Sequence, residues 1–299
     1  MKTKKLTPIN QVFGAELQAA HIMGQSYRDM FVENVDSFFK RMNHHLYIAG
    51  QPGVGKTYSV EDIAKSYPKI YLLKIAGKMT PWAFIKTIAT NLYKLPKTMK
   101  LAVYIDDMNN IFKSNSEFLD IFKIAMDKVS GDCLEYNTSL GSQYASCEEF
   151  EKEAIDHFKN LDPTRTGFSV PFDGRVKFIF TMNTPLPGKQ EMSKLEEGSD
   201  KWIKLNNRAA IRSRVTYEDL VMNKQTYWGW ICHVVWNNPS SMCVGATEEQ
   251  RYEMLMWLWD NWDVVSETSL RFVEEKMWDT MQQYPKANQY RTRWEKLKG

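Results

Sequence analysis

Gly50-Gln51-Pro52-Gly53-Val54-Gly55-Lys56-Thr57 decides how the rest of this 299-residue chain is read. It fits G-x-x-x-x-G-K-[ST], a pattern that average composition yields by chance in roughly one per cent of chains this long. His45-Leu46-Tyr47-Ile48-Ala49 before it is a short buried-strand run, and residues 57–67 carry helical spacing until Pro68 stops it. Strand, glycine turn and helix in that order is the context the chemistry requires. The glycines let backbone N–H groups point inward, the helix N-terminus adds a positive dipole, and triphosphate oxygens are held without bulky side chains. Lys56 then supplies a point charge to the β and γ phosphates, and the Thr57 hydroxyl a ligand for Mg²⁺.

Residues 69–76 read as a second strand, and Thr80 caps a helix with Pro81 in its first position, where a missing N–H costs nothing. Leu101-Ala102-Val103-Tyr104-Ile105 is a third strand and 116–129 a further helix. Alternating strands and helices specify an α/β fold with a parallel sheet and crossover helices. The third strand ends in Asp106-Asp107, and at the carboxyl edge of such a sheet paired acids emerge beside the phosphate site. Asp106 is expected to hold Mg²⁺ through water, and Asp107 to orient or deprotonate the attacking water.

Residues 131–172 interrupt this rhythm as an insertion. Its segment 147–162 carries six acids against two lysines, the pattern of a solvated face. Around Asp173-Gly174 the alternation of 170–173 and 175–181 predicts a hairpin whose second arm is another core strand. Residues 201–211 are helical and 215–220 form the last strand. Beyond residue 222 only helices are expected. Nine of the ten tryptophans lie past residue 200, so Trp228, Trp230, Trp257 and Trp259 are assigned to the core of a small helical domain. The organisation read from this is a helical lead-in at 1–43, a nucleotide-binding α/β domain at 44–222, and a helical domain with a basic tail at 223–299.

Composition sets the outer bounds. A net charge of +3, with 25% charged and 43% apolar residues, excludes disordered and collagenous chains. Cys133, Cys147, Cys232 and Cys243 are scattered without a CxxC pair, which fits neither a zinc site nor a disulfide scaffold. An intracellular, cytoplasmic setting without membrane contact is the expectation, since residues 1–25 lack a signal peptide's apolar block and no window has the roughly 18 apolar residues of a span.

The arrangement as a whole, over about residues 40–285, resembles the AAA+ ATPases. Residues 50–57 look like Walker A and 101–107 like Walker B. The strand 176–182 with Asn183 after it looks like sensor 1, which contacts the γ-phosphate and water. Asn206-Asn207-Arg208-Ala209-Ala210-Ile211-Arg212-Ser213-Arg214-Val215 is similar to the arginine-finger segment, and Ser269-Leu270-Arg271 to sensor 2 in the helical lid. The resemblance implies an ATPase that hydrolyses ATP with Mg²⁺ in a homo-oligomeric ring or spiral, most often a hexamer. It implies a nucleotide set of Gly50, Pro52, Gly53, Val54, Gly55, Lys56, Thr57, Tyr58 and Arg271, a metal set of Thr57 and Asp106, and a catalytic set of Asp107, Asn183 and either Arg214 or Arg212 as the finger. Arginine suits these positions because its planar fork stays charged and bridges phosphate oxygens.

Asp107 departs from the family's usual glutamate and is one methylene shorter; Asn109 or a bridging water is the candidate compensation. His44 and His45 read as a surface pair or as neighbours of the adenine, and Asp156-His157 lacks the partner of a hydrolytic triad. Three roles remain open at this stage. A DNA-associated ATPase engaging DNA or a replication protein rests on basic ends (Lys2, Lys4, Lys5; Lys286, Arg291, Arg293, Lys296, Lys298), the hairpin around Gly174, and the Ile211-Arg212-Ser213-Arg214 segment. A protein remodeller and an ATP-binding adaptor with little turnover are the alternatives.

Overall fold

The structure is a computed structural model and describes residues 6–108, 116–127, 133–136, 141–158 and 168–299. Asn109, Lys2, Lys4, Lys5 and parts of the 131–172 insertion lie outside the described residues. The chain separates into two compact units, Asn34–Gly50 with Thr57–Asp219, and Met1–Glu33 with Gln51–Lys56 and Leu220–Gly299.

The first unit is built on β1 (His45–Gly50), β2 (Ile70–Ala76), β3 (Lys100–Asp106), β6 (Val176–Met182) and β7 (Val215–Leu220), in the order β2-β3-β6-β1-β7. Leu46 pairs with Ile179, Leu101 with Val176 and Ile70 with Lys100, all in parallel register. β1 is buried throughout because β6 and β7 flank it and its faces are covered. α2 (Lys56–Ala64) follows the glycine loop, and α3 (Pro81–Lys94) connects β2 to β3. Thr80 caps α3 by accepting the Ala83 N–H at 3.2 Å, and Phe84, Ile85 and Ile88 of that helix are fully buried. Phe84, Phe122, Phe178 and Phe180 form a chain of ring contacts at 5.3–6.4 Å between helix and sheet. Phe122 comes from α4 (Ser116–Ala125).

The predicted hairpin does not form. β5 (Phe168–Pro171) pairs antiparallel with β4 (Cys133–Tyr136) as a separate two-stranded sheet, whereas β6 goes into the main sheet. The turn itself is present: Arg175 N–H donates to Phe172 O at 2.8 Å, with positive φ at Asp173 and Gly174. The turn chemistry was legible; the partner of each arm was not, because β6 gains more from burial between β1 and β3 than from a two-stranded ribbon. α5 (Gly141–Ala145) and α6 (Glu149–Phe158) complete this region. The acidic helix is no mere solvated face, since Ala154 and Ile155 are fully buried and Glu151 pairs with Lys86 at 2.7 Å. α7 (Lys189–Met192) and α8 (Asp200–Arg212) lead into β7.

α1 (Ala15–Arg41), which makes up most of the helical lead-in, is one continuous 27-residue helix. In the second unit its early turns meet α9 (Lys224–Asn237) through glycine. A Cβ on Gly229 would sit 1.9 Å from Ala20 O, and one on Gly24 2.0 Å from the Trp230 nitrogen, so only glycines allow this crossing. α10 (Glu248–Asp260) carries Arg251, wholly buried, whose guanidinium donates to the carbonyls of Val235, Met242 and Cys243 at 2.5–2.9 Å. Trp228 and Trp230 are core residues as assigned, whereas Trp257 and Trp259 are only half-buried; Trp294, not assigned from the sequence, is fully buried. A π-helical stretch, Phe272–Trp278, precedes α11 (Asp279–Gln283). The basic C-terminal segment is not a loose tail: α12 (Ala287–Trp294) buries Tyr290 and Trp294, Arg291 pairs with Glu253 at 2.5 Å, and Arg293 lies 3.6 Å over the Tyr284 ring.

Candidate nucleotide site

β1 runs directly into the glycine loop, and Gly53 and Gly55 take φ of +76° and +83° there. Gly53 has a second reason to lack a side chain, because a Cβ would lie 2.4 Å from Ser269 Cβ. Lys56, 8% exposed, reaches back across the loop to donate to Gln51 O at 2.8 Å. Within the same compact unit the loop carbonyls are held from outside: Pro52 O accepts from Tyr227 Oη at 3.2 Å, Val54 O from Trp230 Nε1 at 3.0 Å, and Gly53 O from Leu270 N–H at 3.1 Å. The carbonyls of Pro52, Gly53 and Val54 are thus bonded to groups outside the loop. Tyr227 and Trp230 were missed as loop clamps, since helical periodicity reports burial and not where an indole N–H points. Tyr58 is largely exposed on α2.

The acidic half forms at the ends of β3 and β6. Asp106 accepts from the Thr57 hydroxyl (3.0 Å to Oδ1) and the Thr181 hydroxyl (2.7 Å), and Lys74 Nζ of β2 stands 3.3 Å from Oδ2. Tyr104 Oη lies 2.9 Å from Thr181 Oγ1. Burial pushes the Asp106 carboxyl up, but hydrogen bonds from Thr181, Thr57, Tyr104 and Lys74 outweigh it and hold the group below its ordinary value. Lys74 is held above its own, first by the hydrogen bond to Glu61 (2.6 Å), with burial opposing and Asp106 adding to the rise. Thr181 and Lys74 escaped sequence reading. Lys74 is simply the polar residue of an alternating strand, and its reach to Asp106 depends on the β2–β3 register, in which Ala76 faces Asp106.

Asp107 sits at φ +48°, its N–H still donating to Thr181 O at 2.9 Å, and Asn183 Nδ2 donates to Asp107 Oδ1 at 2.9 Å. Thr57, Asp106, Asp107 and Asn183 therefore gather into one cluster from three separate elements. Arg212 and Arg214 are anchored elsewhere: Arg212 donates to Leu186 O at 2.6 Å and stacks 3.9 Å over Tyr217, and Arg214 donates to Ala210 O at 2.8 Å and pairs with Asp127 at 3.4 Å. Arg271 has a 70% exposed side chain 3.8 Å from Glu275, next to the Ser269-Leu270 pair that touches the loop. His45 is not a surface residue; it is buried in β1, its Nδ1 accepting the Phe178 N–H at 3.0 Å, at the strand end away from the loop.

A carboxylate kept ionised beside a threonine hydroxyl is a hard oxygen pair that fits Mg²⁺, which takes one or two protein ligands and completes its shell with water and phosphate. Among the described residues no group of three or more His, Cys, Asp or Glu could hold a metal. Among the described residues, no helix is long and apolar enough to cross a membrane.

A parallel sheet whose glycine loop leaves the strand flanked by β6 and β7, followed by an all-helical part, is the α/β P-loop architecture that the AAA+ resemblance implies. No protein-family model matches the chain, and no curated protein does. Among solved structures it is similar to the replication initiator DnaA bound to AMPPCP and single-stranded DNA (12% identity, 96% of this chain and 67% of that one, TM-score 0.38). It is similar also to C. elegans PCH-2 (12%, 96% and 69%, 0.40) and to Rif2 in complex with the C-terminal domain of Rap1 (8%, 95% and 86%, 0.41). Identities and TM-scores this low add nothing to what the strand order shows.

Proposed function

We propose that this chain is an Mg-ATP-binding and ATP-hydrolysing ATPase of AAA+ type that works as an oligomer in DNA transactions. The observation that carries the reading is the Thr57 hydroxyl bonded to the Asp106 carboxylate, Thr57 being the residue that follows the glycine loop in the chain. Glycine-loop N–H groups and Lys56 bind the phosphates. Thr57 and Asp106 hold Mg²⁺, which when bound neutralises charge on the β and γ oxygens. Asp107 orients the attacking water and accepts its proton, and Asn183 fixes the Asp107 carboxylate through the 2.9 Å bond. Arg214, with Arg212 second, is assigned to a neighbouring copy's ATP in a ring or spiral of six, after exchanging its Asp127 contact for phosphate. Arg271 is assigned to the γ-phosphate of its own chain.

Support for DNA rests on the Ile211-Arg212-Ser213-Arg214 segment and on surface charge, since the hairpin around Gly174 is absent and, of the C-terminal cations, Arg291, Arg293 and Lys298 are engaged by Glu253, Tyr284 and Glu295. A second reading, an adaptor that binds ATP and scarcely cleaves it, is favoured by one observation: the shorter Asp107 is tied to Asn183. An ATPase assay with and without DNA on wild type and Lys56→Ala separates them. DNA-stimulated turnover lost in Lys56→Ala supports the motor; nucleotide binding with negligible turnover supports the adaptor; no Mg-ATP binding at all refutes both.

A further inference from the structure

In the first unit, the amino-terminal ends of the strands lie at the opposite edge of the sheet from the acids Asp106 and Asp107, and that edge is basic. Lys40 and Arg41 end α1, Lys69 immediately precedes β2, Lys100 opens β3, and Arg175 immediately precedes β6. Backbone contacts make these neighbours: Lys100 N–H donates to Lys69 O at 3.0 Å, Leu101 N–H to Arg175 O at 2.8 Å, and Lys100 Nζ to Arg41 O at 3.3 Å. Among the described residues no carboxylate pairs with Lys40, Lys69 or Lys100. Asp36 of α1 is taken by the Tyr67 hydroxyl at 2.6 Å, and Asp173, in the turn before Arg175, is the other acid at this edge. Like charges on adjacent strands repel, so the fold keeps an unrelieved cost here that a polyanion would remove.

Lys40, Lys69 and Lys100 line a cavity of about 350 Å³ together with Tyr67, Ser66 and Thr98, over the buried Phe39. The two rings stack at 5.7 Å and 22°. Four neighbouring strands about 4.8 Å apart span ~14 Å. A strand in a duplex carries about one charge per 3.4 Å of axis and an extended single strand fewer, so at most about four phosphates cross that edge. Cations in a row beside a hollow roomy enough for a base and edged by Tyr67 match a single strand with its backbone on the lysines and one base inserted. An acidic polypeptide would use the charges and leave the hollow idle.

We propose that this edge binds single-stranded nucleic acid. The inference deepens the DNA reading above and stands apart from the ATP site. The test is fluorescence anisotropy of a labelled twenty-nucleotide oligothymidine on the full chain between 50 and 200 mM salt, with wild type, Lys40→Ala/Lys69→Ala, and Lys194→Ala/Lys276→Ala as an exposed control. Removing two phosphate contacts should weaken binding at least about ten-fold and lower the slope of log K against log salt by about 1.4. The control should match wild type, and Lys56→Ala should keep its affinity without nucleotide. An abasic strand of equal length should bind several-fold more weakly, and an oligouridine arm tells DNA from RNA as the source. A wild type that binds no strand overturns this proposal and the DNA reading together. A Lys40/Lys69 variant with wild-type melting, affinity and slope overturns this proposal alone. Abasic strand binding as tightly as oligothymidine, or poly-glutamate competing as well as it does, overturns the single-strand assignment.

Discussion

Asp106 receives hydroxyls from Thr57 and Thr181 and a cation from Lys74, so its charge is balanced before any metal arrives. Lys74→Met removes a positive competitor for the carboxylate, and the Mg²⁺ concentration for half-maximal nucleotide binding, read by titration calorimetry, should fall a few-fold. Asp106→Asn should abolish the Mg²⁺ dependence itself. His45 gives a pH prediction. Burial, with the charge of Lys177 and then His44 adding to it, lowers its pKa from 6.5 to about 3. The folded state keeps the ring neutral while the unfolded chain takes a proton. The stability is thus fully present above pH 6.5 and is lost as pH falls toward 3, by at most about 1.4 kcal/mol per unit. Denaturant melts of wild type and His45→Asn from pH 7 to 5 should show a shallower decline in the variant; parallel curves would rule the linkage out.

At the scale of elements, the glycine loop depends on α9 and on the segment before the π-helical stretch. Trp230→Phe keeps most of the apolar burial but leaves the Val54 carbonyl without its indole donor. A loss of about 1–3 kcal/mol in chemical unfolding, together with weaker nucleotide binding, is expected from one unsatisfied buried acceptor. Gly53→Ala meets Ser269 as well as an unfavourable φ, so it should destabilise by about 1–3 kcal/mol. A Gly53→Ala protein with wild-type melting would contradict the close approach. Both effects belong to the packing of elements distant in sequence, and no reading of the loop alone exposes them.

For the whole molecule, the decisive question is whether one chain is sufficient. Arg214→Ala should bind ATP normally and lose hydrolysis, since Arg214 makes its contacts in this chain with Ala210 and Asp127 and is assigned to a neighbour's phosphate. Steady-state turnover set beside equilibrium binding checks this, and equal turnover would remove the finger assignment. The parallel sheet places the acids of β3 and the cations before β2, β3 and β6 at opposite edges. One chain can therefore present two anion-binding surfaces of different chemistry without their competing.

The sequence alone determined the glycine loop, the five strands of the main sheet and their order along the chain, the Thr80 cap with Pro81 after it, and the acids that end β3, while β4 went unread. These are written in local periodicity and in residues whose backbone geometry leaves few choices. Tertiary structure alone decided that β5 turns away to β4, that Lys74 reaches Asp106, that Asn183 meets Asp107, and that Tyr227 and Trp230 hold the loop. Each depends on which strand lies beside which, or on where one polar atom of a buried ring points. Such choices are settled by the summed burial of distant segments, a quantity that no window of sequence contains.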